Sequence, residues 1–533
     1  MMPKGREYEE DPQIPEDHLG FHPATSHGLA IIICTTSVLF LASAVNGLIA
    51  LNITQFSSEF GLDPGVETWP MSIHYLAQGC TFGLAESLVD VLGGRRAFLS
   101  GCFLQTLCHL ASGLARTGAQ LITVRLMSGA AYPICFVSAM SIQSENLPIG
   151  KLRELAFSWT STTQYIGSGV GIVLGGVLSE TAGWQRGFHY AAILSLFGFL
   201  LSIWMIPRHT QEPKHITWIE LAEEIDWTGT LLASSLMALL FSALAYASPF
   251  NDGLYFRNAD QMETSVITNN VANIGRSSLF VPLALGWILL VAFLFWQDRR
   301  ERDRTHHIQN SLWANHHFIS IGLVIFFVYM SSASTSQLII FVFQRAQGLS
   351  VLQSSWQYLP IPIAGVLSSL LTGHLLSRVE ATQILVAAIV LSSLSPLMMA
   401  TLNPAWPYWK WAMPAVLLNS VASNSAISIA TMMVARYFSS ETQGFAMAVL
   451  CTVAMIGASV GMALTALLSN DVTSRLLRTP NQGTSLLESP EIWMSGYRAA
   501  FWFLFSLNLI GLAVTLSCLR KLGYLGLRLD AGY

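Results

Sequence analysis

Apolar runs of about twenty residues recur fourteen times between residues 29 and 519, and this repetition leaves few folds open. They fall at roughly 29–51, 68–88, 97–115, 119–141, 157–178 and 187–206, then 228–248 and 279–297. The last six fall at roughly 317–342, 352–376, 383–402, 411–435, 445–468 and 498–519. A helix of about twenty apolar residues crosses the hydrocarbon core of a bilayer. Backbone polar groups in lipid must be satisfied within the segment, which favours helices. The chain therefore reads as an all-α polytopic membrane protein with 14 transmembrane helices in a 6+2+6 arrangement. Charged residues make up only 11%, against about 25% for a soluble domain. Most of the chain cannot face water.

The grouping predicts a cytoplasmic N-terminal tail (1–28), a six-helix bundle (29–206), and a linker with two central helices and an outer loop (207–297). A second part (298–519) holds a cytoplasmic loop and the C-terminal bundle, followed by a short tail (520–533). The tail at 1–28 is acidic (Glu9, Glu10, Asp11, Glu16, Asp17) and lacks the basic start and cleavage site of a signal peptide, so the first span is expected to serve as the targeting signal. With both termini cytoplasmic, 17 Lys and Arg fall on the inner side and 9 on the outer, with Arg125 inside a span. That bias agrees with the positive-inside rule. The seven cysteines all lie in apolar runs without metal-binding spacing. No metal or cofactor is expected, and a net charge of −4 argues against nucleic acid as a partner.

Three stretches depart from plain apolar composition. Between the second and third spans the chain reads Glu86-Ser-Leu-Val-Asp90-Val-Leu-Gly93-Gly94-Arg95-Arg96. The glycines permit a tight turn, and Asp90 can meet a helix N-terminus or an arginine in one conformation and leave it in another. The fourth span carries Arg125, costly in an apolar helix and so expected to face the protein interior. The fifth repeats glycine every four residues at Gly167, Gly171 and Gly175, with Gly176 beside the last. That smooth face suits close approach of a neighbouring helix.

In this order and on these helices, the three stretches resemble the signatures of the major facilitator superfamily. Trp184-Gln-Arg186-Gly-Phe188 at the sixth span, Ile225-Asp226-Trp227 at the seventh and Gly496-Tyr497-Arg498 at the last extend the resemblance along nearly the whole chain. With fourteen spans it is similar to the fungal drug:proton antiporter family 2, in its aminotriazole-resistance-like subgroup. Two departures stand out. Gly171-Ile172 replaces the Gly-Pro usual in antiporter branches, and residues 29–51 lack the acidic residue many members carry.

The resemblance implies a major facilitator fold whose central cavity is lined by spans 1, 2, 4 and 5 and by spans 9, 10, 12 and 13. The polar candidates on those helices are Asn46, His74, Gln78, Arg125, Gln337, Asn419 and Asn424, with Trp356 among nearby aromatics. A mostly apolar cavity with a few amides suits a small amphipathic organic solute. The implied activity is secondary active export of a drug, toxin or fungal secondary metabolite in exchange for protons, with His74, Gln78 and Arg125 on the translocation or proton pathway. A monomer in the plasma membrane is the expected state, with vacuolar or vesicular membrane as the other location. An importer of a siderophore or small solute in the same fold, and a non-transporting sensor, remain open. Asn52-Ile-Thr54, the one glycosylation sequon, lies so close to the first span that it is expected to be unmodified. The spans carry no HExxH and no carboxylate dyad, so intramembrane enzyme chemistry is not expected.

Overall fold

The computed structural model describes residues 23–62, 66–148, 151–207, 316–438, 440–477 and 490–519, with isolated helical positions between 228 and 295. Among these residues every regular element is helical. The first bundle consists of α1 (Pro23–Phe60), α2 (Trp69–Leu92), α3 (Gly94–Gly113), α4 (Gly118–Asn146), α5 (Lys151–Thr181) and α6 (Trp184–Met205). The second begins with α7 (His316–Phe341), which runs into a π-helical turn at Val342–Ala346. It continues as α8 (Val351–Tyr358), α9 (Pro360–Leu375), α10 (Ala381–Ala400), α11 (Ala412–Leu418), α12 (Val421–Tyr437), α13 (Ser440–Leu477) and α14 (Pro490–Cys518). The pairs α8/α9 and α11/α12 are each one span broken mid-way, so six spans build each bundle. Nine of the described segments are long and apolar enough to cross a membrane by composition alone. Of the expected seventh and eighth spans only isolated helical positions are described; the rest of both falls outside the described residues.

Several helices overrun their apolar windows. α1 continues from the expected end at residue 51 to Phe60, and α13 starts at Ser440 and ends at Leu477. Hydropathy registers only the stretch that lipid contacts, whereas backbone hydrogen bonding continues into polar sequence. Asn52 lies in this extension, wholly buried, with its Nδ2 donating to the Leu48 carbonyl at 2.8 Å. An oligosaccharide has no access to it there.

Large apolar side chains point outward from the bundles. On α6, Phe197 is 65% exposed and Trp204 88%. In water such a surface would be an aggregation liability; in lipid it is the solvated face. The turn between α2 and α3 is made at Gly93, whose φ of 81° favours glycine. Arg95 then donates through Nε to Ile206 O (3.0 Å) and through Nη2 to Ile203 O (2.9 Å). A positive charge satisfying the last carbonyls of α6 is a favourable helix end.

The glycine stripe of α5 has a direct structural reason. A Cβ at Gly167 would overlap the carbonyl of Phe40, one at Gly171 the carbonyl of Ala44, and one at Gly175 would press on Leu48. α5 therefore lies against the backbone of α1. The second bundle repeats the device where α13 crosses α7: Cβ atoms at Gly457 and Gly461 would meet the carbonyls of Phe326 and Met330.

Candidate functional site in the bundle interior

A buried polar cluster joins α1, α2 and α4. Arg125 is 1% exposed. Its Nε donates to the Pro70 carbonyl (3.2 Å) and its Nη2 to Asn46 Oδ1 (2.6 Å). The Arg125 carbonyl lies 3.3 Å from His74 Nδ1, and His74 Nε2 is 2.8 Å from Gln78 Nε2. Four of the residues singled out on three separate spans thus form one connected network. Gly129, one turn beyond Arg125, makes this possible, because a Cβ there would strike the His74 carbonyl and hold α4 away from α2. Among the described residues no carboxylate lies within ion-pair distance of Arg125. Its charge is met only by neutral oxygens.

In the second bundle Asn419 sits at the break between α11 and α12. Its Nδ2 donates to Ser336 Oγ (2.7 Å) and to the Ser332 carbonyl (3.1 Å) of α7. Its own carbonyl accepts from the Ser332 and Ser392 hydroxyls. Asn424 reaches Ser368 of α9 through Nδ2 (3.1 Å) and accepts through Oδ1 from the Tyr165 hydroxyl of α5, so it ties the two bundles together. Gln337 is buried with its Nε2 unpartnered. Trp356, at 57% exposure, stands apart from these clusters.

The loop signature separates into parts. Gly93 and Gly94 make the turn, Arg95 holds α6, and Arg96 and Asp90 are exposed. Glu86 is turned toward the second bundle: its Oε1 occupies the space that a Cβ at Gly444 of α13 would need, and its Oε2 has no partner.

At the opposite end of the molecule, bonds across the bundle boundary are plentiful. Gln344 donates to the Leu51 carbonyl (2.8 Å) and accepts from Thr54. Ser459 donates to the Ser72 carbonyl (2.6 Å), and the Leu352 amide donates to Glu180 Oε1 (3.2 Å). Arg345 Nη2 meets Glu67 Oε1 at 2.6 Å, with Glu67 only 3% exposed. Burial pushes the Glu67 carboxyl above the ordinary carboxylate range, and the charge and hydrogen bond of Arg345 pull it partly back, helped by Ser57. Glu67 stands just before the second expected span (68–88), and the sequence gives no sign that Arg345 would meet it. The two are 278 residues apart, and no local pattern joins them.

The Major Facilitator Superfamily profile matches residues 35–272 and 278–418. MFS-type transporter 1 of Pyricularia oryzae is 28% identical over 93% of this chain and 84% of its own length. The efflux pump terG of Aspergillus terreus is 22% identical over 88% of this chain and 82% of its own. The crystal structure of a bacterial homolog of the human lysosomal transporter Spinster, inward-facing and unoccupied, superposes with a TM-score of 0.61 at 14% identity. That superposition covers 94% of this chain and 98% of that one. At such identity the likeness concerns the fold alone.

Proposed function

Since this chain belongs to the Major Facilitator Superfamily, and is thus an integral membrane transporter, we propose that it exports a small amphipathic organic solute in exchange for protons. The product is a drug, toxin or fungal secondary metabolite, and the membrane is the plasma membrane. The observation that carries this reading is the cluster around Arg125. A guanidinium held deep in an apolar bundle without a carboxylate beside it is expensive as scaffold. It is well suited to an anionic or carbonyl-bearing solute, which it can engage through a planar fork of donors. His74, bonded to the Arg125 carbonyl and to Gln78, is the candidate proton carrier of this cluster.

Superfamily transporters work by rocking two bundles about a central site. With the Glu67 end facing out, the bonds of Gln344, Ser459 and Arg345 across the bundle boundary close the outer side. Opening to the outside must break each of them. The efflux pump terG that aligns with the chain supports the direction of export.

The test is accumulation of substrate in inside-out vesicles under an imposed pH gradient. The gradient should drive uptake, and His74→Ala should leave equilibrating exchange but abolish the response to the gradient. Uptake indifferent to the gradient in the unmodified protein would overturn proton coupling.

A further inference from the structure

Arg345 is held in a setting that a simple gate pair does not need. Its guanidinium carbon lies 4.9 Å from the ring centroid of Trp493 and 5.3 Å from that of Phe341. Tyr497 stacks on both, at 6.2 Å and 18° to Phe341 and at 6.4 Å and 25° to Trp493. All four residues belong to the second bundle. The group that completes the arrangement, the Glu67 carboxylate, comes from the first. Beside the pair lies a chamber with room for about one water molecule, lined also by Gln337, Thr465 and Asn470. Into that chamber Gln337 brings an amide that is 4% exposed and whose Nε2 has no partner. Buried donors are nearly always satisfied, so an idle one next to a guanidinium marks a place where an acceptor is missing.

Taken together, the second bundle offers two donors for an oxyanion and a wall of aromatic faces beside them. Guanidinium groups favour planar carboxylates and stack on rings. The first bundle supplies a carboxylate of its own only while the two bundles are together. We propose that Arg345, Gln337, Phe341, Trp493 and Tyr497 form a subsite for an organic carboxylate bearing an aromatic body, which Glu67 fills as an internal substitute in the closed state. When the bundles part, Glu67 departs with the first and the substrate's carboxylate takes its place. On leaving, the substrate is exchanged for Glu67, so closure and release compete for the same guanidinium. This rests on the export reading above and adds the chemical class of the solute.

The experiment is equilibrium binding of 1-naphthoate to the full chain in nanodiscs, by quenching of its fluorescence. Glu67→Gln removes the internal competitor's charge and should tighten binding about tenfold or more, the worth of a charge-assisted hydrogen bond. Adding Arg345→Gln should return binding to the level of the unmodified protein or below. Uncharged 1-naphthylmethanol should show neither change. If Glu67→Gln proves unstable, Trp493→Leu in the otherwise unmodified chain gives a second reading: it should weaken naphthoate severalfold while leaving acetate, which has no ring, unaffected. Equal naphthoate affinity with and without Glu67, or a tightening that survives the added Arg345→Gln, overturns the subsite. Such a result would leave gradient-driven export in vesicles untouched. Conversely, a confirmed subsite without gradient-driven export would overturn the coupling reading alone.

Discussion

The two bundles share a scaffold and differ in where they place charge. In each, the fifth helix of the six lies on the first through glycines four residues apart, Gly167 and Gly171 in one and Gly457 and Gly461 in the other. Each also ties its first span to its fourth by side-chain hydrogen bonds. In the first bundle that tie is Arg125 to Asn46; in the second it is Asn419 to Ser332 and Ser336. One is a buried cation, the other a neutral amide. The second bundle carries a cation elsewhere, half-buried, at Arg345 beside the boundary. Backbone packing is thus duplicated, while the groups able to attract a solute are not. An amide whose Nδ2 is satisfied by a hydroxyl and a backbone carbonyl at normal distances stabilises its bundle and has little left for a ligand. A guanidinium surrounded by neutral oxygens retains a net charge.

The largest effect expected concerns the shared feature. Gly171→Leu and Gly461→Leu each place a branched side chain on a neighbouring carbonyl. Overpacking against backbone that cannot move is among the most destabilising changes. Both variants should fail to reach the membrane in monodisperse form, as judged by size-exclusion of fluorescently tagged protein. If one bundle tolerated its leucine, the equivalence of the two glycine contacts would be broken.

Next in size is the contrast between the two ties. Arg125→Ala should abolish transport, and Arg125→Lys should recover only a small part of it, because an ammonium cannot span Asn46 and the Pro70 carbonyl as the fork does. Asn419→Ala should cost stability, about 1–2 kcal/mol for its lost hydrogen bonds, yet retain most of the transport rate per folded molecule. Initial rates normalised to folded protein separate these outcomes. A complete loss with Asn419→Ala, or normal rates with Arg125→Lys, would erase the asymmetry.

A smaller effect is expected at the loop signature. Asp90 is exposed at the end of α2, so Asp90→Asn should leave the amount of protein in the membrane unchanged. Transport should fall about tenfold, if one conformational state uses that charge and another does not. An unaltered rate would make Asp90 an ordinary solvated residue and leave the signature's role to Gly93, Gly94 and Arg95.

These contrasts also mark how far the amino-acid sequence can be read. Hydropathy locates the helices because lipid imposes a length and a composition, but it misses their polar overruns, as at α1 and α13. The glycine stripe of α5 was legible because a four-residue repeat defines a helix face; the pair on α13, with one repeat, was not distinctive enough. Arg125 announced itself by its cost in lipid, and His74 and Gln78 as polar residues on a helix that the family resemblance places at the cavity. What could not be read was anything that depends on the two bundles meeting. Glu67 with Arg345, and Tyr165 with Asn424, are separated by 278 and 259 residues. Their pairing follows from tertiary geometry. The break that exposes the Asn419 carbonyl to two serines was likewise hidden inside a continuous apolar run.

The smallest effect expected is a pH response of the outer boundary, and its sign is informative. In the closed state burial holds the Glu67 carboxyl above its ordinary range, against the pull of Arg345 and Ser57; Tyr497 is the other titratable group facing it. Once the bundles part and water reaches the carboxyl, its affinity for protons should fall back toward the ordinary value, about 4.3. The closed state then binds a proton more tightly than the open one. Its advantage is fully present below the ordinary value and is lost as pH rises through the raised one. Acidifying the outer face should therefore favour closure, by at most about tenfold for each pKa unit between the two states. A cysteine at Ala466, which lines the chamber, in a chain whose native cysteines are replaced, should react more slowly with an impermeant maleimide as external pH falls. Reactivity must be corrected for the thiolate fraction, using an exposed cysteine as reference. The dependence should vanish in Glu67→Gln. An exchanger needs this order of events, a proton bound outside before the outer side shuts. Labelling that rose on acidification would mean that Arg345 outweighs burial at Glu67, and that protonation opens the boundary instead of sealing it.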